Sequence, residues 1–358
     1  MDSVNRRTIL GAGAAVALAP LGNLFAADPP KEVKDPYSDG KLLDGEPPMP
    51  AKDSFTIAVL PDTQHYSQKF PDSYVAQTKW IVDHQKARNI ACVLHLGDIT
   101  NTSSRPEWVN AVTAMKHLDD AAIPYAFVPG NHDYSKGGGC TDRTTLLSEY
   151  FPAKNYRSRP HFGGTYDKEP ERMENSYHLF SAGGRDFLVL ALEFGPRNDV
   201  IRWANEIAAK YPKREAILIT HVFIYHDDTR YNLKMYGTKQ SWNPHTYGVA
   251  KATMDDINDG EELWTKLVSK HENFILTLNG HVLGDGLGKV ITATPAKRKV
   301  PQILVNYQMR PHGGDGWLRL LEFKSDRTVE VYDYSPVLLK RNEGPQNRFA
   351  MTVPAVTV

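Results

Sequence analysis

The sequence has little that would tie it together covalently: two cysteines, Cys92 and Cys140, in 358 residues exclude a disulfide framework. Cys92 falls inside an apolar run and Cys140 in a glycine-rich stretch, so both are expected as free thiols. Neither sign of charge is in excess, with 42 Lys and Arg against 42 Asp and Glu. That balance, without a basic run, removes the electrostatic footprint that nucleic acid or an anionic membrane requires. No run is long and apolar enough to span a bilayer, and there is no internal repeat or low-complexity tract. What is there is an ordinary globular composition, 41% hydrophobic, long enough for one large domain or two small ones. The 24 Pro, 26 Gly and 17 Tyr predict many loops.

The first residues carry an address. Asn5-Arg6-Arg7-Thr8-Ile9-Leu10 precedes a short run of small apolar residues, 11–20, with Ala26-Ala27 as a cleavage point. Residues 1–27 resemble a twin-arginine export signal, which implies a periplasmic or secreted protein exported already folded. Residues 28–53, rich in Pro, Asp, Lys and Gly, read as an exposed linker, 54–340 as the folded domain and 341–358 as a C-terminal tail.

Within the domain, apolar runs end repeatedly on side chains that bind metal or move protons. Residues 55–60 close on Pro61-Asp62-Thr63-Gln64, 92–96 on Gly97-Asp98, and 125–128 on Pro129-Gly130-Asn131-His132-Asp133; 215–220 close on His221 and 274–278 on Asn279-Gly280-His281. Helical spacing at 73–89, 106–118, 199–211 and 260–270 separates these runs. The alternation predicts right-handed crossovers and parallel pairing, which brings the strand ends side by side at one edge. Asp62 and Gln64 are expected in extended chain, where residues i and i+2 point the same way. Two long irregular segments, 134–175 with a short helix at 144–151 and 223–252, are expected to be functional. Strands at 176–180 and 185–192 form a hairpin on Gly183-Gly184, and four more follow at 290–294, 302–308, 317–323 and 328–334. Parallel strands first and hairpins later predict an α/β fold of two sheets packed face to face, with helices outside.

Two carboxylates (Asp62, Asp98), the amides of Gln64 and Asn131 and two imidazoles (His221, His281) at one sheet edge make a nest for one or two divalent transition ions. The absence of thiolate argues against a structural zinc. Asp98 is the candidate bridge, because a carboxylate can give one oxygen to each ion. His132, beside Asn131, is placed to stabilise developing charge or protonate a leaving oxygen, with Asp133 as candidate orienting partner for an imidazole.

The series Asp62-Thr-Gln64, Gly97-Asp98, Gly130-Asn131-His132-Asp133, His221 and Gly280-His281 resembles the calcineurin-like metallophosphoesterases. The resemblance implies a four-layer αββα sandwich of two mixed sheets, two divalent ions (Mn, Fe or Zn), and phosphoester hydrolysis in which an activated water attacks phosphorus. It implies Asp62 and Asp98 on the first ion, Asp98, Asn131, His221 and His281 on the second, and His132 acting on the leaving group or the phosphate. Two positions depart from the family pattern. Gln64 stands where Asp-x-His has its histidine, and Leu283 where Gly-His-x-His ends. Both losses fall on the first ion, which is expected to bind loosely, to be a harder ion held by oxygens, or to be absent. His65 is a poor substitute because strand alternation turns it away; His226, His245 and His312 are alternatives. Asp98-Ile-Thr-Asn101 lacks the tyrosine that purple acid phosphatases carry there, which argues against that subgroup.

For the substrate, Arg143 is the first choice as phosphate partner, with Arg157, Arg159 and Arg310 next and His226 as a further substrate-facing group. Tyr134, Tyr156, Phe162, Tyr166, Tyr225 and Trp242 are candidates for an aromatic rim. The expected function is an exported metal-dependent phosphomonoesterase or phosphodiesterase acting on a small organic phosphate. The alternative is a weakly active or non-hydrolytic binding protein for a phosphate or sugar ligand on the same scaffold; a nuclease is disfavoured by the charge balance.

Overall fold

The computed structural model describes residues 35–356. The expected export signal, and the linker as far as residue 34, lie outside the described residues. The first half of the domain runs β1 (Leu42–Asp44), β2 (Phe55–Leu60), α1 (Gln64–Lys69), α2 (Pro71–His84), β3 (Ile90–His95), α3 (Arg105–Asp120) and β4 (Tyr125–Phe127). There follow β5 (Phe162–Thr165), β6 (Ser176–Ala182), β7 (Arg185–Leu192), the helix Asn198–Lys210, β8 (Glu215–Thr220), the helix Gly260–Lys266 and β9 (Phe274–Asn279). The chain then continues as β10 (Leu287–Ala293), β11 (Lys299–Val305), β12 (Leu318–Phe323), β13 (Thr328–Ser335), β14 (Lys340–Asn342) and β15 (Phe349–Thr352).

These strands form two mixed sheets. One has the order β1-β14-β13-β12-β2-β3-β4 with β15 beside β13, the other β10-β11-β9-β8-β7-β6-β5. Pairing is parallel along β2-β3-β4 and along β7-β8-β9-β11. Period-two alternation sorts the side chains into layers. Ile57 and Val59 of β2 and Ile217 and Ile219 of β8 share one core between the sheets. Ala58 and Leu60 turn the other way, against Tyr66, Tyr74 and Trp108 of α1 to α3, and Ala216 and Leu218 turn against Trp203 and Leu263 of the later helices. The result is the four-layer α/β sandwich expected from the sequence. Across its middle, Phe55 and Phe323 of one sheet stack at 5.1 Å, and Phe187 of the other meets them edge-on at 5.4 and 5.9 Å. A second link crosses near β11: the Tyr307 hydroxyl donates to Asp333 of β13, which also takes both arms of buried Arg319 at 2.7 Å each.

Both ends of the domain differ from expectation. The described part of the linker is built into the fold. β1 pairs with β14, Trp80 Nε1 and Arg88 Nη2 donate to Glu46 at 2.9 and 2.8 Å, and Trp317 Nε1 donates to the Tyr37 hydroxyl at 2.7 Å. Pro36 opens a turn that ends at Gly40, and the backbone beyond it finds partners three hundred residues away. The expected tail supplies β14 and β15, which both pair with β13. Gln64 opens α1 and is not in extended chain. β5 was not anticipated, because Gly163 and Gly164 weaken its pattern. Among the described residues no helix is long and apolar enough to cross a membrane.

Phe187 is fully buried where the sheets meet, so Phe187→Ala removes aromatic contacts to both and leaves a cavity. It is expected to lower the unfolding free energy by about 3–5 kcal/mol, read by urea denaturation; a loss below about 1 kcal/mol contradicts the account of the seam.

Candidate metal centre

The chain leaving β2, β3, β4, β8 and β9 delivers Asp62, Asp98, Asn131, His221 and His281 to one end of the sandwich, and bonds between the two sheets join them. The His281 N–H donates to both oxygens of Asp62, at 3.2 and 3.0 Å. His221 Nδ1 donates to the Leu96 carbonyl at 2.7 Å, which leaves Nε2 3.3 Å from Asp98 Oδ2. The His132 N–H donates to Asp98 Oδ1 at 2.9 Å. His281 Nε2 donates to the Trp242 carbonyl at 3.0 Å, leaving Nδ1 as its free ring atom. Asp98, His221 and His281 each offer a ligand atom within 4.8 Å of the others. The preceding glycines make this possible: a Cβ on Gly130 would overlap Asp98 Oδ1, and one on Gly280 would overlap Asp62 Oδ1. Asp98 and His281 themselves sit at φ +46° and +76°, a backbone region that costs free energy in residues other than glycine.

Burial sets the electrostatics. It pushes the Asp62 carboxyl up to about 8, helped by the neighbouring Asp98 charge. Burial also raises Asp98, but the charges of His221 and His132 outweigh it and hold Asp98 well below the usual carboxylate range. In His221 burial is overridden in turn by Asp98 and Asp62, and the ring is pushed up to about 9. His281 is brought down to about 3 by burial and by the charge on His221. Two buried acceptors here, Gln64 Oε1 and Asn131 Oδ1, have no hydrogen-bond partner, and His221 Nε2 has only the Asp98 carboxylate beside it. Unpaired amide oxygens beside carboxylates and imidazoles inside a fold are a donor set that fits divalent ions, which satisfy the oxygens that the protein leaves unmatched.

A cleft of about 70 Å³ adjoins these groups, lined by Asp98, Asn131, His132, Trp242, Tyr247, His281, Leu283 and Gln308. His132 donates from Nδ1 to the Asn101 carbonyl at 2.8 Å. Asp133 does not partner an imidazole. Its oxygens accept from Ile99 N, Thr100 N, Thr100 Oγ1 and Gly130 N at 2.7–3.0 Å, so it ties the loop after β3 to the loop after β4. Buried His95 performs the same service between β2 and β3: it donates to Thr63 Oγ1 at 3.0 Å and accepts from Gly97 N at 3.2 Å.

None of the expected arginines lines the cleft. Arg143 bonds to the carbonyls of Phe194 and Gly195 and pairs with Glu193, Arg157 is held by Glu171, Arg159 by Asp119, and Arg310 by Asp39. These partners, close in space and distant in sequence, explain why basic loop residues misled. His226 is exposed, with its ring 4.2 Å from Tyr225 and outside the cleft lining. His65 packs against Gly313, and His312 pairs with Asp315. Of the aromatic candidates, Tyr134, Tyr156, Tyr166 and Tyr225 are buried in the core and Phe162 is half-buried; Trp242 is 41% exposed at the cleft. Tyr247 and Gln308 join the lining unanticipated, since no motif marks either.

Residues 55–282 match the calcineurin-like phosphoesterase family. The chain belongs to that family. This calcineurin-like phosphoesterase is 31% identical over 305 residues to the uncharacterized protein YvnB of Bacillus subtilis (strain 168), an alignment that takes in 82% of this chain and spans 21% of that protein's length. Among solved structures it is similar to purple acid phosphatase PPD1 from yellow lupin (Lupinus luteus) seeds, at 12% identity over 86% of this chain and 55% of that one, with a TM-score of 0.49. It is also similar to GAP50, the anchor in the inner membrane complex of Plasmodium, at 11% identity over 85% and 90%, with a TM-score of 0.42. Family membership and the donor set together imply divalent metal ions.

A second group of potential ligands, His245, Asp259 and Glu262, also lies within 4.8 Å, beside a larger cavity of about 430 Å³. Here every donor is engaged. His245 donates to Asp255 at 2.7 Å and to Glu262 at 2.8 Å, and Asp259 caps the helix that carries Glu262. Burial opposes the charge on His245, but the hydrogen bonds to Glu262 and Asp255 outweigh it and push the ring up to about 9 from 6.5. Because the folded value is the higher one, this stabilisation is complete below pH 6.5 and fades as pH rises through about 9. His245→Gln is therefore expected to destabilise by on the order of 1 kcal/mol at pH 6 and by almost nothing at pH 10. Chemical denaturation at the two pH values checks this, and an equal loss at both refutes it.

Proposed function

We propose that this chain is an exported metal-dependent phosphoester hydrolase acting on a small organic phosphate. The observation that carries the reading is the convergence of Asp62, Asp98, Asn131, His221 and His281, with their unpartnered buried acceptors, beside a cleft that His132 also lines. Divalent ions, when bound, neutralise phosphoryl oxygens and make water a stronger acid at neutral pH. The chain's own groups do the rest. Anchored through Nδ1, the His132 ring is left with Nε2 as the atom that gives a proton to the leaving oxygen. The Tyr247 hydroxyl, which burial keeps protonated, is a neutral donor for a phosphate oxygen. The cleft is far smaller than the roughly 300–1,000 Å³ of pockets that enclose a ligand. Only the phosphoryl group enters it, and the organic part lies outside, over exposed Trp242. The export part of the reading rests on Asn5 to Leu10.

The binding-protein alternative is favoured by one observation, the Gln64 and Leu283 substitutions at the first ion. Hydrolysis of chromogenic phosphate mono- and diesters with Mn, Fe or Zn separates the two readings: turnover is expected, and phosphate binding without turnover under any ion leaves the alternative standing. His132→Ala is expected to lower kcat by about 10²–10⁴, whereas Trp242→Ala raises KM several-fold with kcat nearly unchanged. Full activity in His132→Ala removes the proposed proton donor. Replacing Arg6 and Arg7 by Lys is expected to retain the protein inside the producing cell, and unchanged export would refute the signal.

A further inference from the structure

The first ion's position has lost both of its imidazoles, yet two amide oxygens are left without partners around it. We propose that this position is an all-oxygen site for a hard divalent cation such as Mn²⁺ or Mg²⁺, held by the carboxylates of Asp62 and Asp98 and the side-chain carbonyls of Gln64 and Gln308. The inference rests on the reading above only in that ions bind at this cleft.

Gln64 follows Asp62 by two residues and is 2% exposed. Its Nε2 donates to Asn101 Oδ1 at 3.3 Å, which fixes the amide and leaves Oε1 as the free end, buried and unpartnered. Gln308 is the second such group. It lines the cleft together with Asp98, His281 and Leu283, and its Oε1 is likewise buried without a partner. Its place is fixed by Asn306, which accepts from the Gln308 N–H at 2.9 Å and donates to the Val282 carbonyl at 3.3 Å. One side chain thus clamps residues 306–308 against 282–283. Gln308 is held at the cleft beside Leu283, the position where the family's last imidazole is missing. Two carboxylates and two amide carbonyls suit hard cations that prefer oxygen and exchange readily. The second position keeps the Asn131 amide oxygen and the imidazoles of His221 and His281, whose nitrogens suit Zn²⁺ or Fe²⁺. The two positions therefore select different ions.

The test uses the whole protein, stripped by chelation, given one equivalent of Zn²⁺ and titrated with Mn²⁺, with bound ions counted by elemental analysis and free Mn²⁺ read by electron paramagnetic resonance. One tightly held Zn and one exchangeable Mn per chain are expected. Gln308→Ala is expected to weaken Mn²⁺ at least about tenfold, a loss that even groups which only orient a ligand can produce, while the Zn stays. Gln64→Ala should do the same, with circular dichroism confirming its fold; because Gln308 lies on a loop, its variant keeps the test decisive if Gln64→Ala misfolds. Leu283→His, by restoring an imidazole, is expected to shift the second equivalent from Mn to Zn. Unchanged Mn²⁺ affinity in Gln308→Ala, or a wild-type protein that binds no Mn, overturns the proposal. Absence of turnover with both ions bound would instead sink the hydrolase reading and leave this one intact.

Discussion

Two acidic side chains, Asp62 and Asp98, are buried together at one end of the sandwich, and much of the architecture exists to keep them there. Such a pair is unfavourable in a low-dielectric interior unless something positive joins it. Each acid is gripped by a backbone N–H from a different strand end, Asp62 by that of His281 and Asp98 by that of His132. The glycines at 130 and 280 let those backbones approach closely enough. The spacing of the acids is therefore set by how strands of two sheets are aligned, and His221, pushed up to about 9 beside them, carries the balancing charge that a bound ion would supply.

Recognition of a substrate follows from the same arrangement. Among the described residues no lysine or arginine lines the cleft, so a phosphate there would depend on the bound ions for most of its positive partner charge. Substrate affinity and ion loading are then one property, and an unloaded chain has little to offer an anion. The expected basic residues serve the scaffold: Arg143 holds the carbonyl of Phe194, Arg159 pairs with Asp119 and Arg310 with Asp39.

Much of this was legible in the sequence, because strand periodicity and strand-end chemistry are local. The runs ending at Asp62, Asp98, Asn131, His221 and His281 were each readable alone, and parallel pairing predicted that they meet. Features that depend on remote partners were not legible. Composition around residue 42 suggests a linker, and only the pairing with residue 342 reveals a strand. Asp133 sits beside a histidine in sequence, but its oxygens answer N–H groups of residues 99, 100 and 130. Gln308 belongs to no motif and acquires its place through Asn306.

The stretch just after β11 carries two attachments on consecutive residues. Tyr307 reaches the Arg319–Asp333 pair in the opposite sheet, and Gln308 stands in the cleft. Chain length there cannot drift: inserting or deleting one amino acid would unseat both anchors together, costing Asp333 its tyrosine donor and an ion one of its oxygens.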